Sequence, residues 1–265
     1  GRTICSENNT IQSFPFQSWI KEFPFLKNLK IKKLQWIYEN SKNYRNPILS
    51  RSFLKRKFLI KKNYNVTIDS ICADEFIKRP IISRRGIRIK SFEELIKIIQ
   101  ISNKCKIKYI IIPFVDKSSI RKLNYEKYLK EFILLIFPFL EIYNIEVHLE
   151  TDIKNKIITK IIKSKKTKKF IKINFDSGNT VSLGYDMVKE IIDAKDHLGS
   201  VHIKDRIRFG PTVPLGYGDV NFINLFKILK SIKYNGDYVL QAARVRGMED
   251  RKLISKYLVF LKNYL

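Results

Sequence analysis

Apolar, β-rich runs recur along the chain about every thirty to forty residues, which is the spacing of βα units. Between them lie segments with apolar residues at helical spacing, such as residues 91–103, 124–143 and 185–198. Because the runs are continuously apolar, both faces of the sheet they form must be covered, which is typical of parallel α/β folds. The runs are residues 29–39, 65–74, 107–116, 145–152, 170–179, 199–206 and 237–244.

Seven or eight such units in 265 residues predict an α/β fold of the (β/α)8 TIM barrel type rather than an open doubly wound sheet. No GxGxxG motif follows the first run, so a dinucleotide-binding fold has no support. We therefore expect residues 1–265 to form a single barrel domain whose first strand is missing from the N-terminus of this chain.

The formal net charge of +27 could indicate an anionic partner. However, the basic residues are spread along the whole chain and do not gather in one stripe with interleaved aromatic residues, so the sequence favours a bias in residue usage over a nucleic-acid surface. The most lysine-rich segment, residues 154–172, has isoleucine at helical spacing and is interpreted as a solvated helix face. Anionic substrates such as sugar phosphates fit either interpretation.

The three cysteines Cys5, Cys72 and Cys105 lie far apart and form no CxxC pair, which argues against a zinc knuckle and a disulfide framework. A reducing cytoplasm is the compartment that fits such a chain. No stretch approaches the roughly 18 uncharged apolar residues of a membrane span, and no secretory signal is visible. We expect a cytoplasmic protein with no membrane partner.

Polar residues stand at the ends of the predicted strands, where the loops of a β/α barrel converge on one point. A single aspartate after a strand is more often a helix cap than a ligand. Polar residues at the ends of four consecutive strands shift the balance towards a site. The strand-end residues are Asp74, Asp116, Glu150, Asp176, His202 and Gln241.

Glu150, Asp176, His202 and Gln241 fall on the fifth to eighth strands of the predicted barrel, and so would line one half of its mouth. Three oxygens and one imidazole suit a divalent ion such as Mn²⁺ or Mg²⁺, with Zn²⁺ or Co²⁺ as alternatives. The carbonyl oxygen of Gln241 can bind a metal or a substrate hydroxyl but has no basicity, and the alternative is that it bonds only to neighbouring backbone. His148 lies two residues before Glu150 and faces the same side, either as a core group or as a substrate contact.

Several stretches resemble the sugar phosphate isomerase/epimerase family of the xylose isomerase-like TIM barrel superfamily, which is related to the apurinic endonuclease family 2. They are "NFDSGN", "VHIKDR" followed by "VPLGYGDVNF", "HLETD", and the early "IQSFPFQSWIKEF" with "LQWIYE". The resemblance runs nearly end to end. A Gly-Arg pair closes the first strand in such proteins, so Gly1 and Arg2 imply that this chain begins just after that strand.

The resemblance implies a metal site of Glu150, Asp176, His202 and, at the position of the usual glutamate, Gln241. The better known epimerases use two opposed glutamates as acid and base, and only Glu150 could serve in that way here. Gln241 therefore puts two-base epimerisation in doubt. The resemblance and the strand-end positions also give substrate-binding candidates, each of which is alternatively a surface charge or polar group: Asn179, Lys204, Arg206, Arg208 and Arg244.

These observations predict a metal-dependent isomerase or epimerase of a small sugar or sugar phosphate, in which Glu150 removes a proton next to a carbonyl to give an enediolate. One alternative is an endonuclease-like phosphodiesterase. Such nucleases bind several zinc ions through many histidines, whereas this chain has only three histidines, His148, His197 and His202. The other alternative is a non-catalytic sugar-binding barrel, which Gln241 supports best. The sequence leaves the oligomeric state open, a homo-oligomer included.

Overall fold

The structure is a computed structural model that describes residues 14–41, 43–245 and 247–264. The chain divides into two compact units, Gly1–Val147 and His148–Leu265. Gly1, Arg2 and Cys5, on which parts of the sequence interpretation rest, lie outside the described residues. The single-domain assignment of residues 1–265 stays a prediction.

Helical segments separate the seven strands that form at the predicted apolar runs, as the spacing of those runs predicts. The strands are β1 (Lys33–Ile37), β2 (Thr67–Cys72), β3 (Ile82–Ser83), β4 (Gly86–Ile87), β5 (Tyr109–Phe114), β6 (Glu146–Thr151), β7 (Ile171–Asp176), β8 (Leu198–Ile203), β9 (Asp205–Arg206), β10 (Thr212–Val213) and β11 (Asp237–Leu240). The α-helices are α1 (Glu22–Asn28), α2 (Phe53–Tyr64), α3 (Glu75–Lys78), α4 (Ile89–Lys104), α5 (Tyr125–Tyr143), α6 (Asn155–Ile162), α7 (Lys165–Phe170), α8 (Ser177–Ser182), α9 (Met187–Ala194), α10 (Phe222–Ser231) and α11 (Asp250–Lys262).

The first unit contains three parallel strands in the order β1-β2-β5. All six residues of β5 are buried, because a continuously apolar strand is covered on both faces. Helix α4 packs by one face only, with Leu95, Ile98 and Ile99 buried at helical spacing. Strands β3 and β4 form a separate antiparallel pair.

The second unit contains residues 148–151 of β6 together with β7, β8 and β11, in that order, and β8 pairs in parallel with both β7 and β11. Alternate residues of these strands, including Phe175, Val201 and Ile203, belong to an apolar core shared with residues of helices α9, α10 and α11. Since successive side chains of a strand point to opposite faces, the residues between them point away from this core. That second face carries the candidate site.

The lysine-rich segment 154–172 differs from the single helical pattern read in its sequence, because it forms two helices, α6 and α7. Ser164 separates them: its backbone is extended, and its Oγ accepts a hydrogen bond from the backbone N–H of Thr167 at 3.2 Å. This is an N-cap, which starts a new helix. The lysines from Lys154 to Lys169 are exposed, which agrees with a solvated helix face. Among the described residues, no helix is long and apolar enough to cross a membrane.

Candidate metal centre

Three neighbouring strands of the second unit each carry two polar residues two positions apart, which therefore lie on the same face. In the register of β7 and β8, Asn174 is opposite Ser200 and Asp176 is opposite His202. The polar residues thus form two layers. We call Glu150, Asp176 and His202 the terminal layer, because they lie towards the strand ends, and His148, Asn174 and Ser200 the inner layer.

The terminal layer brings the potential ligand atoms of Glu150, Asp176 and His202 within 4.8 Å of one another. Nδ1 of His202 lies 3.4 Å from Oε2 of Glu150 and 3.9 Å from Oδ2 of Asp176. All three side chains are buried, with exposed fractions of 5%, 3% and 0% for Glu150, Asp176 and His202. Burying two carboxyl groups so close together is costly unless a cation or hydrogen bonds compensate them.

Asp176 uses its two carboxylate oxygens differently. Oδ1 accepts a hydrogen bond of 2.7 Å from the backbone N–H of Asn179 and so caps the N-terminus of α8. Oδ2 is buried, accepts no hydrogen bond from the described residues, and lies 3.6 Å from Nζ of Lys204. Helix capping and ligand function, which are alternatives for an aspartate that follows a strand, are therefore both compatible with Asp176.

Both carboxylate oxygens of Glu150 accept hydrogen bonds from side-chain amides. Asn174 donates through Nδ2 to Oε2 at 3.0 Å, and Asn179 donates through Nδ2 to Oε1 at 2.9 Å. Each oxygen of a carboxylate has two lone pairs, so further acceptor capacity remains for a metal ion or a proton. The two amides fix the plane of the carboxylate.

The pKa values of the two carboxyl groups shift in opposite directions. Burial alone would raise the pKa of Glu150, but the hydrogen bond and charge of His202, the charge of Lys204 and the amide of Asn174 together lower it below its ordinary value. Burial raises the pKa of Asp176, and the opposing charge of Lys204 does not cancel that effect. Glu150 is therefore held as a carboxylate, whereas Asp176 lacks a full counter-charge.

The terminal layer fits a divalent cation. The buried Oδ2 of Asp176 accepts no hydrogen bond from the part of the chain that the structure describes, and a cation bound there would supply the charge that this carboxyl group lacks. Two carboxylates and one imidazole are ligands that Mn²⁺, Mg²⁺, Zn²⁺ and Co²⁺ all accept, and the donor set does not choose among them.

Lys204 extends over the terminal layer from the end of β8. Its Nζ donates to Oδ1 of Asn179 and to Oε1 of Gln241, both at 3.3 Å. Nη1 of Arg206 donates to the same oxygen of Asn179 at 3.0 Å. A Cβ on Gly178 would lie 2.8 Å from Cγ of Lys204, so only glycine lets the lysine stem pass here. This close approach explains why the "DSGN" motif has a glycine at position 178.

Gln241 directly follows β11, and its backbone N–H donates to the carbonyl of Ile203 at 3.0 Å. Its side chain is half-buried, and Oε1 accepts from Lys204. The amide therefore faces the lysine that also approaches Asp176 and Asn179. Three of the predicted site residues, Asp176, Asn179 and Gln241, thus meet around the ammonium group of Lys204.

Two predicted substrate contacts have other partners in the described structure. Arg208 is exposed, and its guanidinium lies 5.3 Å from the ring centroid of Phe209. Arg244 forms an ion pair of 3.1 Å with Asp250 in the first turn of α11. The structure therefore places Arg208 at the surface and Arg244 in an ion pair, and their role as substrate contacts stays a prediction.

Asp74 and Asp116 belong to the first unit. Asp74 precedes α3, and its Oδ1 accepts a hydrogen bond of 3.1 Å from Sγ of Cys72. Asp116 is exposed and begins the short 3₁₀ helix Asp116–Ser118. Within the described residues, neither belongs to a cluster of potential metal ligands.

Sequence reasoning missed Asn174 and Ser200 of the inner layer. The signal that could have found them is the alternation of side chains, which relates His148 to Glu150 and equally relates Asn174 to Asp176 and Ser200 to His202. The alternation thus holds for three strands, β6, β7 and β8.

Asp205 was also missed, and it explains why "HIKDR" and "VPLGYGDV" occur together. Its buried carboxylate accepts backbone hydrogen bonds from Gly216 and Gly218, both at 2.9 Å, and from Val220 at 3.2 Å. A Cβ on Gly218 would lie 2.2 Å from Oδ1 of Asp205, so the loop can close on the carboxylate only with glycine there. The motif is therefore a loop anchor next to the site.

Residues 27–263 match the family described as xylose isomerase-like TIM barrel. A comparison with curated proteins gave no match. Among solved structures, the IOLI protein with a binding zinc atom aligns with a TM-score of 0.72 at 12% identity, covering 93% of this chain and 94% of that one. A D-tagatose 3-epimerase-like protein gives a TM-score of 0.68 at 15% identity, covering 96% of both chains.

A sugar phosphate isomerase/epimerase from Parabacteroides distasonis aligns with a TM-score of 0.65 at 15% identity, covering 93% of this chain and 92% of that one. Identities this low show the fold alone. The fold is the one that the apolar runs and the sequence motifs predict, and the TIM barrel class is confirmed.

Proposed function

The chain belongs to the family of xylose isomerase-like TIM barrels, and we propose that it is a divalent-metal-dependent isomerase or epimerase of a small sugar or sugar phosphate. The observation that carries the proposal is the cluster of Glu150, Asp176 and His202, whose potential ligand atoms lie within 4.8 Å of one another. The proposed ion is Mn²⁺ or Mg²⁺, with Zn²⁺ or Co²⁺ as alternatives, and Gln241 is proposed as a fourth, neutral ligand or as a hydroxyl contact.

Glu150 is the proposed base. It is buried and ionised, and its carboxylate plane is fixed by amides on both oxygens. A fixed carboxylate can remove the proton next to a substrate carbonyl and return it to the adjacent carbon on the same face. When bound, a divalent cation supplies Lewis-acid polarisation of that carbonyl and stabilises negative charge on its oxygen.

The side chains of Lys204 and Gln241 favour proton transfer by a single base over transfer by two bases. A side-chain amide cannot act as an acid or a base at neutral pH, so Gln241 cannot be the second base of a two-base epimerase. The ammonium group of Lys204, held by Asn179 and Gln241, can instead donate hydrogen bonds to a substrate oxygen that becomes negative. Isomerisation on one face, with a single carboxylate base, is therefore easier to support than epimerisation.

A small sugar or sugar phosphate is the proposed substrate class. Structural neighbours described as a D-tagatose 3-epimerase-like protein and a sugar phosphate isomerase/epimerase support it. Lys204 and Arg206, which both donate to Oδ1 of Asn179, offer cationic donors that suit sugar hydroxyls or a phosphate. A phosphodiesterase with several zinc ions has less support, since the described cluster contains a single histidine, His202.

The test compares Glu150→Gln with the unmodified protein. Mn²⁺ binding is measured by calorimetry, and deuterium incorporation from D₂O is measured in candidate ketoses and ketose phosphates. We expect one ion per chain and measurable exchange in the unmodified protein. In Glu150→Gln, exchange should vanish, because no second carboxylate remains to move the proton, and Mn²⁺ should bind more weakly.

Asp116→Asn is the matched control, because Asp116 is an exposed aspartate after a strand of the first unit and should leave both measurements unchanged. Undiminished exchange in Glu150→Gln would remove this residue from the mechanism. Several zinc ions per chain would favour the phosphodiesterase. Sugar binding with neither metal nor exchange would favour a non-catalytic barrel.

A further inference from the structure

The three side chains of the inner layer form a buried chain of hydrogen bonds that ends on Glu150. We propose that His148 is a positioning residue: acting through Ser200 and Asn174, it fixes the orientation of the Glu150 carboxylate. The geometric part of this inference does not depend on the activity of the protein. Its consequence for metal binding rests on the proposed function.

The contacts of this chain are short and continuous. Nδ1 of His148 lies 2.8 Å from Oγ of Ser200, and that hydroxyl donates to Oδ1 of Asn174 at 2.6 Å. Nδ2 of Asn174 then donates to Oε2 of Glu150 at 3.0 Å. The exposed fractions of His148, Asn174 and Ser200 are 1%, 3% and 0%, so water does not compete for these bonds.

The charge of Glu150 sets the direction of every bond in the chain. A carboxylate only accepts hydrogen bonds, so Asn174 must present its NH₂ group to Glu150 and its carbonyl oxygen to Ser200. The single hydroxyl proton of Ser200 is then used on that carbonyl. Nδ1 of His148 must therefore carry a proton and donate a hydrogen bond to Oγ of Ser200. Each hydrogen bond from His148 to Glu150 thus has its donor on the His148 side.

The ring of His148 is itself held by close packing. A Cβ on Gly199 would lie 2.6 Å from both Cε1 and Nε2 of His148, so the imidazole rests directly on the backbone of β8. Ser200, its hydrogen-bond partner, is the next residue of that strand. Both the position of the ring and the direction of its donor are thus fixed by β8.

The consequence is a carboxylate that cannot turn. With Asn179 on Oε1 and Asn174 on Oε2, rotation of Glu150 would break two hydrogen bonds of a buried charged group. If Ser200 or His148 no longer enforces its orientation, Asn174 can present its carbonyl to Glu150, which repels the carboxylate. Partners of this kind in metal sites typically contribute 10- to 100-fold to metal affinity.

The first experiment measures the imidazole nitrogens of the metal-free protein by ¹⁵N NMR. The sequence has only three histidines, so a His148→Asn spectrum assigns the signals of His148 by difference. We expect a proton on Nδ1. An unprotonated Nδ1 would overturn the proposal whatever the protein catalyses.

The second experiment measures Mn²⁺ affinity. His148→Leu removes the donor while keeping apolar volume, Ser200→Ala interrupts the chain, and His148→Asn retains an N–H donor close to the position of Nδ1. We expect the first two variants to bind Mn²⁺ about 10- to 100-fold more weakly and His148→Asn to recover most of that loss. Ser102→Ala is the matched control, because it removes a fully buried hydroxyl of helix α4 that forms no hydrogen bond with any described residue.

Thermal unfolding of each variant separates positioning from folding. A His148→Leu or Ser200→Ala protein that is folded and binds Mn²⁺ like the unmodified protein would overturn the proposal, as would equal losses in His148→Leu and His148→Asn. If the unmodified protein binds none of Mn²⁺, Mg²⁺, Zn²⁺ and Co²⁺ while Nδ1 carries its proton, the proposed function fails and the positioning chain stands.

Discussion

At the scale of single residues, the charge of the side chain at position 241 affects the ammonium group of Lys204, which donates a hydrogen bond to it. A glutamate at position 241 would place a full negative charge about 3.3 Å from Nζ of Lys204, where the amide oxygen now lies. Such an ion pair would neutralise the charge of Lys204, whereas the neutral amide accepts a hydrogen bond from the ammonium group and leaves its charge in place. The glutamine thus makes position 241 neutral while it keeps an oxygen atom beside Lys204.

Gln241→Glu and Glu150→Gln should therefore differ in their effects. We expect Gln241→Glu to preserve Mn²⁺ binding or tighten it, because it adds a charge and keeps an oxygen at the same position, while Glu150→Gln weakens binding. Calorimetric titration of both variants checks this. Gln241→Met, which has neither charge nor carbonyl, is the control. A loss of binding in Gln241→Glu as large as in Glu150→Gln would contradict the expected position of the side chain.

At the scale of elements, Asp205 joins the end of β8 to the loop that leads into α10. Its carboxylate accepts three backbone N–H groups from residues 11 to 15 positions later. Burial raises its pKa, and the hydrogen bonds from Gly218, Val220 and Gly216 oppose that rise. The residue lies between Lys204 and Arg206, so the anchor also holds two of the proposed substrate contacts in place.

Asp205→Asn should destabilise the protein. An asparagine presents an NH₂ group where a carboxylate oxygen now accepts, so at least one buried backbone N–H would lose its acceptor. We expect the free energy of unfolding to fall by about 1–3 kcal/mol, measured by urea denaturation.

The matched control for Asp205→Asn is Asp186→Asn. Asp186 caps α9 by accepting from the backbone N–H of Lys189 at 3.0 Å, and asparagine caps helices about as well as aspartate. Equal stability losses in the two variants would show that the hydrogen bonds to Asp205 stabilise the protein no more than an ordinary helix cap does.

At the scale of the whole molecule, the net charge of +27 is a source of self-repulsion in the folded state. Salt screens such repulsion, because the Debye length falls from about 10 Å at 0.1 M to about 3 Å at 1 M. We expect the midpoint of thermal unfolding to rise as sodium chloride is increased through this range. Chloride is preferred to sulfate, since sulfate also stabilises proteins by exclusion from their surface.

A Tm that is constant or falls with sodium chloride would mean that ion pairs such as Lys78 with Glu39 already offset the repulsion. Sucrose at equal osmolality is the control, because it stabilises proteins without screening charge.

The sequence by itself determined the order of strands and helices, the TIM barrel class and the strand-end positions of Glu150, Asp176 and His202. These follow from hydrophobic periodicity and from motifs, which are local in the chain. The sequence pattern did not predict every element correctly. Residues 154–172 form two helices where the pattern indicated one, because Ser164 caps a second helix.

Only the tertiary structure decided which atoms meet. Asp176 divides its oxygens between a helix cap and the site, Asn179 links Glu150 to Lys204, and Arg244 pairs with Asp250 rather than with the terminal layer. Strand positions specify the face on which a side chain lies, but not its rotamer or its partner on the next strand. Those depend on register and on close packing, such as that of Gly178 against Lys204, which only the folded chain brings about.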